Sequence, residues 1–271
     1  MAKVSVIIPA KNAEQTIAKT IEAILNQDTK PLEIIVVDGG STDRTVEIAL
    51  EYSNRGVKVM KEPPHEGNIP AIGRNFGAKF AQGDILLFID PDCVPEKGLI
   101  TRVLRTLSNP KVGIYSVIVR DGKGTTLSRA WHFLQLQIEY DFAPSRVLAV
   151  KREIFKRVGG FDETLPTGED NDFSYRVMNL GYDIVVDKET VVLHDDDHAA
   201  SLRGIIKLLK WYRIGKRKLV ERYPERFKKY RPSTSLYKNH ILPILKAFKE
   251  EGISVGLACI LIKALSLIRH I

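Results

Sequence analysis

Short apolar runs alternate with longer amphipathic stretches along the first ninety positions. Val4-Ser5-Val6-Ile7-Ile8-Pro9 is one such run, ended by proline, and fits a strand buried on both faces. From Ala13 to Asn26 the residues Ile17, Ile21, Ile24 and Leu25 recur at helical spacing. Glu33 to Asp38 reads as a second strand, and Gly39-Gly40-Ser41-Thr42-Asp43 as a turn that leads into a helix near Arg44. Val57 to Lys61 predicts a third strand, Ala71 to Ala81 a helix, and Asp84 to Asp90 a fourth strand. Strands and helices taking turns in this way predict an α/β fold with an open, mostly parallel sheet flanked by helices. Ligands in such sheets sit at the carboxyl ends of the strands, where Asp38 and Asp90 stand.

The pattern is mixed from 94 to 198. Leu99 to Leu107 reads as a helix, Val112 to Arg120 as a strand, and Trp131 to Tyr140 as a helix or a loop. Asp172 to Leu180 is helical after Glu169-Asp170, and Ile184 to Val186 and Val191 to His194 are short strands. From 199 onward the chain reads as helix. Leu202, Ile205, Ile206, Leu209 and Tyr212 share one face, beside Arg203, Lys207, Lys210 and Arg213. The last segment, Ile253 to Ile271, is apolar but interrupted by Lys263 and Arg269, and its longest uncharged run, Gly252 to Ile262, is too short to span a bilayer.

Charge divides the chain at the same place. Residues 199–271 hold 17 Lys and Arg against 4 Asp and Glu, whereas residues 1–198 hold 24 against 29. The expected domains are therefore a catalytic body at 1–200, with halves at 1–93 and 94–200, and a basic, partly apolar helical extension at 201–271. A basic amphipathic extension predicts an anionic membrane surface as partner, in preference to nucleic acid, because the charge accompanies a wide apolar stripe. The alternative is that the stripe packs on the body and its lysines face water. Two cysteines, Cys93 and Cys259, exclude a disulfide framework. Met1-Ala2-Lys3 runs straight into the first strand with no secretory leader pattern, so the expected location is the cytoplasmic side of the cell membrane.

Asp90-Pro91-Asp92 places two carboxylates two residues apart at the end of a buried strand, able to converge on a hard divalent cation that also holds a diphosphate. Alone, the pair is also consistent with an ordinary strand-end turn. Its context is more specific. Val4 to Asn12, then Val36-Val37-Asp38-Gly39-Gly40-Ser41-Thr42-Asp43, Arg74-Asn75-x-Gly77, and Gly83-Asp84 with Asp90 and Asp92 occur in that order. Gly159-Gly160-Phe161-Asp162-Glu163, Gly168-Glu169-Asp170-x-Asp172 and His194 follow. Over roughly residues 3–200 this set resembles the nucleotide-sugar domain of the GT-A fold, family 2 inverting glycosyltransferases.

The resemblance implies a role for each residue. Pro9, Ala10 and Glu14 match the first nucleotide-contacting loop, Asp38 and Gly39 the base or ribose contact, and Arg74 a basic residue near base and diphosphate. Many relatives carry a second acid where Gly39 stands, which leaves the identity of the base open. Asp90 and Asp92 match the metal and ribose pair, for Mn²⁺ or Mg²⁺, and His194 a position that completes the metal or diphosphate site, with His198 as a second candidate. Asp170, beside Glu169, matches the general base facing the acceptor. The implied activity is inverting transfer of a hexosyl or N-acetylhexosaminyl group from a nucleoside diphosphate sugar to a lipid-linked or polysaccharide acceptor, or to a polyprenyl phosphate.

Each residue also has a structural alternative. Asp38 suits a turn cap, Arg74 a surface ion pair, Glu169-Asp170 a helix N-terminus, and His194 a solvated turn. His65 and Cys93 read as structural. A sugar nucleotidyltransferase would need a glycine-rich phosphate loop after the first strand, where this chain has Pro9-Ala10-Lys11-Asn12. A non-catalytic binding protein on the same fold would not need Asp90, Asp92, Glu169 and Asp170 together.

Overall fold

The computed structural model describes residues 2–67, 69–195, 198–228 and 241–267. The chain forms two compact units, Met1–Val119 with Asp141–Leu193, and Arg120–Tyr140 with His194–Ile271. In chain order the first unit begins with β1 (Val4–Ala10), α1 (Ile17–Leu25), β2 (Glu33–Asp38), α2 (Thr45–Leu50) and β3 (Val57–Lys61). It continues with α3 (Pro70–Phe80), β4 (Ile85–Ile89), β5 (Cys93–Pro95), α4 (Leu99–Leu107) and β6 (Val112–Val117). The chain then passes through β7 (Arg120–Asp121) and α5 (Thr126–Leu136), which belong to the second unit. It returns for β8 (Val147–Lys151), α6 (Arg152–Val158), α7 (Glu169–Asn179), β9 (Asp183–Asp187) and β10 (Val192–His194).

Among the described residues the first unit holds a seven-stranded sheet in the order β3-β2-β1-β4-β8-β6-β9. β1, β2, β3 and β4 are mutually parallel, β8 runs antiparallel between β4 and β6, and β9 is parallel to β6. The chain builds outward from β1 through β2 to β3, then crosses back to lay β4 on the other side of β1. The strand order reverses there, and such a reversal opens a crevice at the carboxyl ends of β1 and β4. Register places Ala10 beside Asp38 at the lip of that crevice.

Both faces of the sheet are covered. Val4, Val6 and Ile8 point into one core with Ile17, Ile21 and Ile24 of α1, while Ile7 joins Ile35, Val37, Leu86 and Phe88 in the other. Alternation along β1 is therefore hidden in a continuous apolar run, as expected for a strand buried on two sides. α3 lies close against the second face because Gly77 has no side chain. A Cβ there would sit 2.5 Å from Ile7 Cγ2 and 3.0 Å from Val37 Cγ2. The antiparallel β8, absent from the sequence-based expectation, is four apolar residues followed by Lys151, with no turn signal of its own. Val147 to Val150 are all buried in the sheet centre, where pairing with β4 and β6 fixes them as strand.

The second unit adds α8 (Leu202–Arg222), α9 (Pro224–Lys228), α10 (Leu242–Glu250) and α11 (Ile253–Leu267). Its core gathers Ala130, Trp131, Phe133 and Leu134 from α5 with Ile205 of α8, Ala247 of α10, and Val255, Cys259 and Ile262 of α11. Leu208, Leu209 and Tyr212 pack against that core, and Tyr212 stacks on Trp131 with ring centroids 6.2 Å apart. Much of the apolar stripe of α8 is thus turned inward within this unit. Segment 120–140, read in the sequence as part of the body, groups with the C-terminal helices.

Candidate active site

The loop after β1 is tied to the loop after β2. Asn12 takes a left-handed backbone, φ 52°, and its Oδ1 accepts from Thr42 N at 2.8 Å. Glu14 N donates to Asp43, and Glu14 Oε2 accepts from Arg44 N at 3.1 Å. Glu14 therefore braces the loops, and it is not among the residues lining the cleft they border. Asp38, buried at the end of β2, spends its carboxylate on the next turn: Oδ2 accepts from Gly40 N at 3.1 Å and Oδ1 from Ser41 N at 3.0 Å. It does not line the cleft either.

That cleft, of about 430 Å³, lies in the first unit at the strand-order reversal. Pro9, Ala10, Gly39, Arg74, Asp90 and Asp92 border it, as expected, and so do Glu62 and His65. Arg74 reaches it from α3, and its side chain is 3% exposed. Its Nη2 donates to Asp90 Oδ1 and its Nη1 to Glu169 Oε1, both at 2.8 Å. Burial works against its charge, but the Asp90 and Glu169 carboxylates outweigh burial and hold its pKa above the usual value. The surface-pair alternative for Arg74 does not hold.

The acids respond in kind. Burial raises the Asp90 pKa, the neighbouring Asp92 charge adds to the rise, and Arg74 offsets part of it. Glu169 is pushed to about 7 by burial and by the Asp170 charge, against the pull of Arg74. Burial also raises Asp170. Gly168, at φ 82°, turns the chain so that Glu169 and Asp170 open α7 in its first turn. Asp170 Oδ2 accepts from Ser145 N at 3.2 Å and Oδ1 from Asn171 N at 2.9 Å. Helix opening and chemistry coexist at this pair, because a helix N-terminus favours carboxylate charge.

The cation fits this donor set. Asp90 and Asp92 present hard oxygen ligands to one cleft, and burial with the Asp92 charge raises the Asp90 pKa despite Arg74 and Arg146. Cys93, buried next to them, has its thiol pushed up by burial and by the two carboxylates, and its Sγ lies 3.8 Å from Asp92 Oδ1.

His194 begins the C-terminal segment of the second unit. It is buried, and its Nδ1 lies 3.0 Å from Nε2 of His132, a residue the sequence reading passed over. His132 Nδ1 faces the Ser128 carbonyl oxygen at 2.8 Å, and a carbonyl only accepts. Asp121 Oδ1 also lies 3.9 Å from His132 Nδ1, and in the tautomer that donates from Nδ1 to the Ser128 carbonyl, His132 Nε2 accepts from His194 Nδ1. His132 sits in the apolar run Ala130 to Leu134, four residues after Ser128, and only that helical spacing hinted at the contact. His198 is exposed, and Asp196 and Asp197 lie outside the described residues.

Comparison with known proteins settles the family. Residues 5–161 match the profile described as glycosyl transferase family 2. The chain belongs to glycosyl transferase family 2. The transferase is 30% identical over 226 residues to the glycosyltransferase AglE of Haloferax volcanii, covering 79% of this chain and 72% of AglE. It is 31% identical over 210 residues to the probable glycosyltransferase YdaM of Bacillus subtilis, covering 68% of this chain and 48% of YdaM. The chain thus spans about half of that second relative. Among solved structures it is similar to the mannosyltransferase PcManGT of Pyrobaculum calidifontis, solved with GDP-Man and Mn²⁺. The TM-score is 0.66 at 20% identity, over 99% of this chain and 81% of the other. S. aureus TarS 1–349 in complex with UDP matches with a TM-score of 0.58 at 21% identity, over 91% and 72%. These likenesses establish the GT-A fold and a glycosyltransferase.

Proposed function

We propose that the transferase is inverting, and that it moves a sugar from a nucleoside diphosphate sugar to a hydroxyl of a lipid-linked or polysaccharide acceptor. The observation that carries this reading is the buried Arg74, which joins Asp90 of the donor cleft to Glu169 beside Asp170. One guanidinium thereby links the acids expected at the donor to the acids expected at the acceptor. In this reading Pro9, Ala10, Gly39 and Arg74 border the nucleotide, and Asp170 takes the acceptor proton as the hydroxyl attacks opposite the leaving group. A raised pKa suits that role, because a base works best when its pKa approaches the working pH.

Asp90 and Asp92 would hold Mn²⁺ or Mg²⁺, and the motif order keeps His194 as the candidate for a further ligand. The ion supplies Lewis-acid stabilisation of the departing diphosphate. Mn²⁺ is favoured by the likeness to PcManGT, solved with that ion.

The transferase is proposed to work as a peripheral protein at the cytosolic membrane face. Among the described residues no helix is long and apolar enough to cross a membrane. Ile253, Leu257, Ile260 and Leu261 of α11 nevertheless stand exposed at spacings of three and four, with Leu245 of α10.

Asp170→Asn tests the base. Turnover with a hydroxyl acceptor is expected to fall about 10²–10⁴-fold with donor binding unchanged. Full turnover in the variant would exclude Asp170 as base. It would point instead to an acceptor that is already ionised, such as a polyprenyl phosphate.

A further inference from the structure

The cleft has an acid that the motif pattern does not contain. Glu62 follows β3, and its backbone N donates to Asp38 O at 3.0 Å, which fixes the start of this segment against β2. Its side chain then turns into the cleft, between two glycines from other elements. A Cβ at Gly39 would lie 3.0 Å from Glu62 Oε1, and a Cβ at Gly73 2.7 Å from Oε2. The carboxylate thus occupies the space that side chains at 39 and 73 would fill. His65 Nε2 lies 2.7 Å from Oε1, and its Nδ1 faces the Glu66 carbonyl at 3.3 Å. His65 thus holds the carboxylate in place.

Asp38, the acid expected to contact the base, has both oxygens on backbone N–H groups of its turn and does not border the cleft. Gly39 brings no side chain. Glu62 is the carboxylate of the lining outside the Asp90 and Asp92 pair, and it lies near Pro9, since a Cβ at Gly73 would sit 2.7 Å from Glu62 Oε2 and 3.2 Å from Pro9 Cβ.

Resting on the reading that this cleft holds the donor nucleotide, we propose that Glu62 is the residue that selects the base, by accepting a hydrogen bond from a ring N–H. A carboxylate only accepts. Uracil and guanine carry a proton on the ring nitrogen of their pairing edge. Cytosine and adenine present a lone pair there, which a carboxylate repels. Such a contact discriminates because a ring N–H adds a charge-assisted hydrogen bond where a ring lone pair meets repulsion. Thymine shares the ring N–H of uracil, so Glu62 accounts for a donor of the uridine, thymidine or guanosine class, and His65 is a positioning residue for it.

The test is calorimetric titration of the whole chain with UDP, GDP, CDP and ADP in Mn²⁺, on the wild type and on Glu62→Gln. The wild type is expected to bind UDP or GDP at least about tenfold more tightly than CDP and ADP. Glu62→Gln is expected to lose about tenfold or more of that preference, with an unchanged melting temperature as the check on folding. Wild-type preference for CDP or ADP would overturn the inference without any variant. So would a preference kept intact in Glu62→Gln, while nucleotide binding itself upheld the donor reading. Binding of none of the four would overturn the donor reading and this inference with it. Glu62→Asp serves where the amide variant melts early, and a full preference there despite the shortened, displaced carboxylate would also count against Glu62.

Discussion

Arg74 holds two acids that lie 16 and 95 residues away in sequence, and all three side chains are largely withdrawn from water. Removing one partner from a buried charged set costs more than the set contributes, because charges remain without compensation. Arg74→Met is therefore expected to destabilise the fold by about 3–5 kcal/mol near pH 8, a fall in melting temperature on the order of 10 °C. The pH dependence has a definite sign. Glu169 has a folded pKa of about 7, above its ordinary 4.5, so its protonated form favours the native state below that range and the advantage is lost as pH rises through 7. Near pH 5 Glu169 is mostly neutral and depends less on Arg74, so the gap between variant and wild type should narrow. Melting curves at pH 5 and pH 8 check this; equal gaps would show that Arg74 does not compensate Glu169. The residues themselves were legible from motif order, but their assignments were less so. Asp38 and Glu14 turned out to bind loop backbone rather than border the cleft, a distinction decided by which oxygen meets which N–H.

At the scale of elements, the strands and helices of the first ninety residues follow from periodicity, because parallel strands buried on both faces leave unbroken apolar runs. β8 escaped because its identity depends on neighbours, β4 and β6, that are distant in sequence. The helix α8 shows the converse. Its stripe was correctly helical, but an amphipathic pattern does not say what the apolar face meets, and here Ile205, Leu208, Leu209 and Tyr212 meet α5 and α11. In the proposed membrane association the exposed apolar surface is therefore that of α10 and α11. Ile253 is 73% exposed and Leu257 56%, and Lys246 and Lys249 on α10 supply charge nearby. Sedimentation with vesicles containing anionic lipid is expected to bring the protein down, and Ile253→Asp with Leu257→Asp to release it. Equal sedimentation of the double variant would remove this surface from the account.

At the scale of the whole molecule, a doubly covered sheet, a cleft at its order reversal and two acid pairs joined by one guanidinium form a single chemical proposition. The first unit was legible as a fold because its motifs mark strand ends, where ligands bind. The second unit was legible only as basic helix, since pocket-forming loops and packed helix faces carry no readable spacing. The central claim is that this cleft turns over a nucleotide sugar with the help of a divalent cation. The most direct measurement is release of nucleoside diphosphate from a panel of UDP-, GDP-, CDP- and dTDP-sugars, with Mn²⁺ and with EDTA. Release from a uridine, thymidine or guanosine donor is expected in Mn²⁺, and its loss in EDTA. Undiminished release in EDTA, or no release from any donor in Mn²⁺, would contradict it.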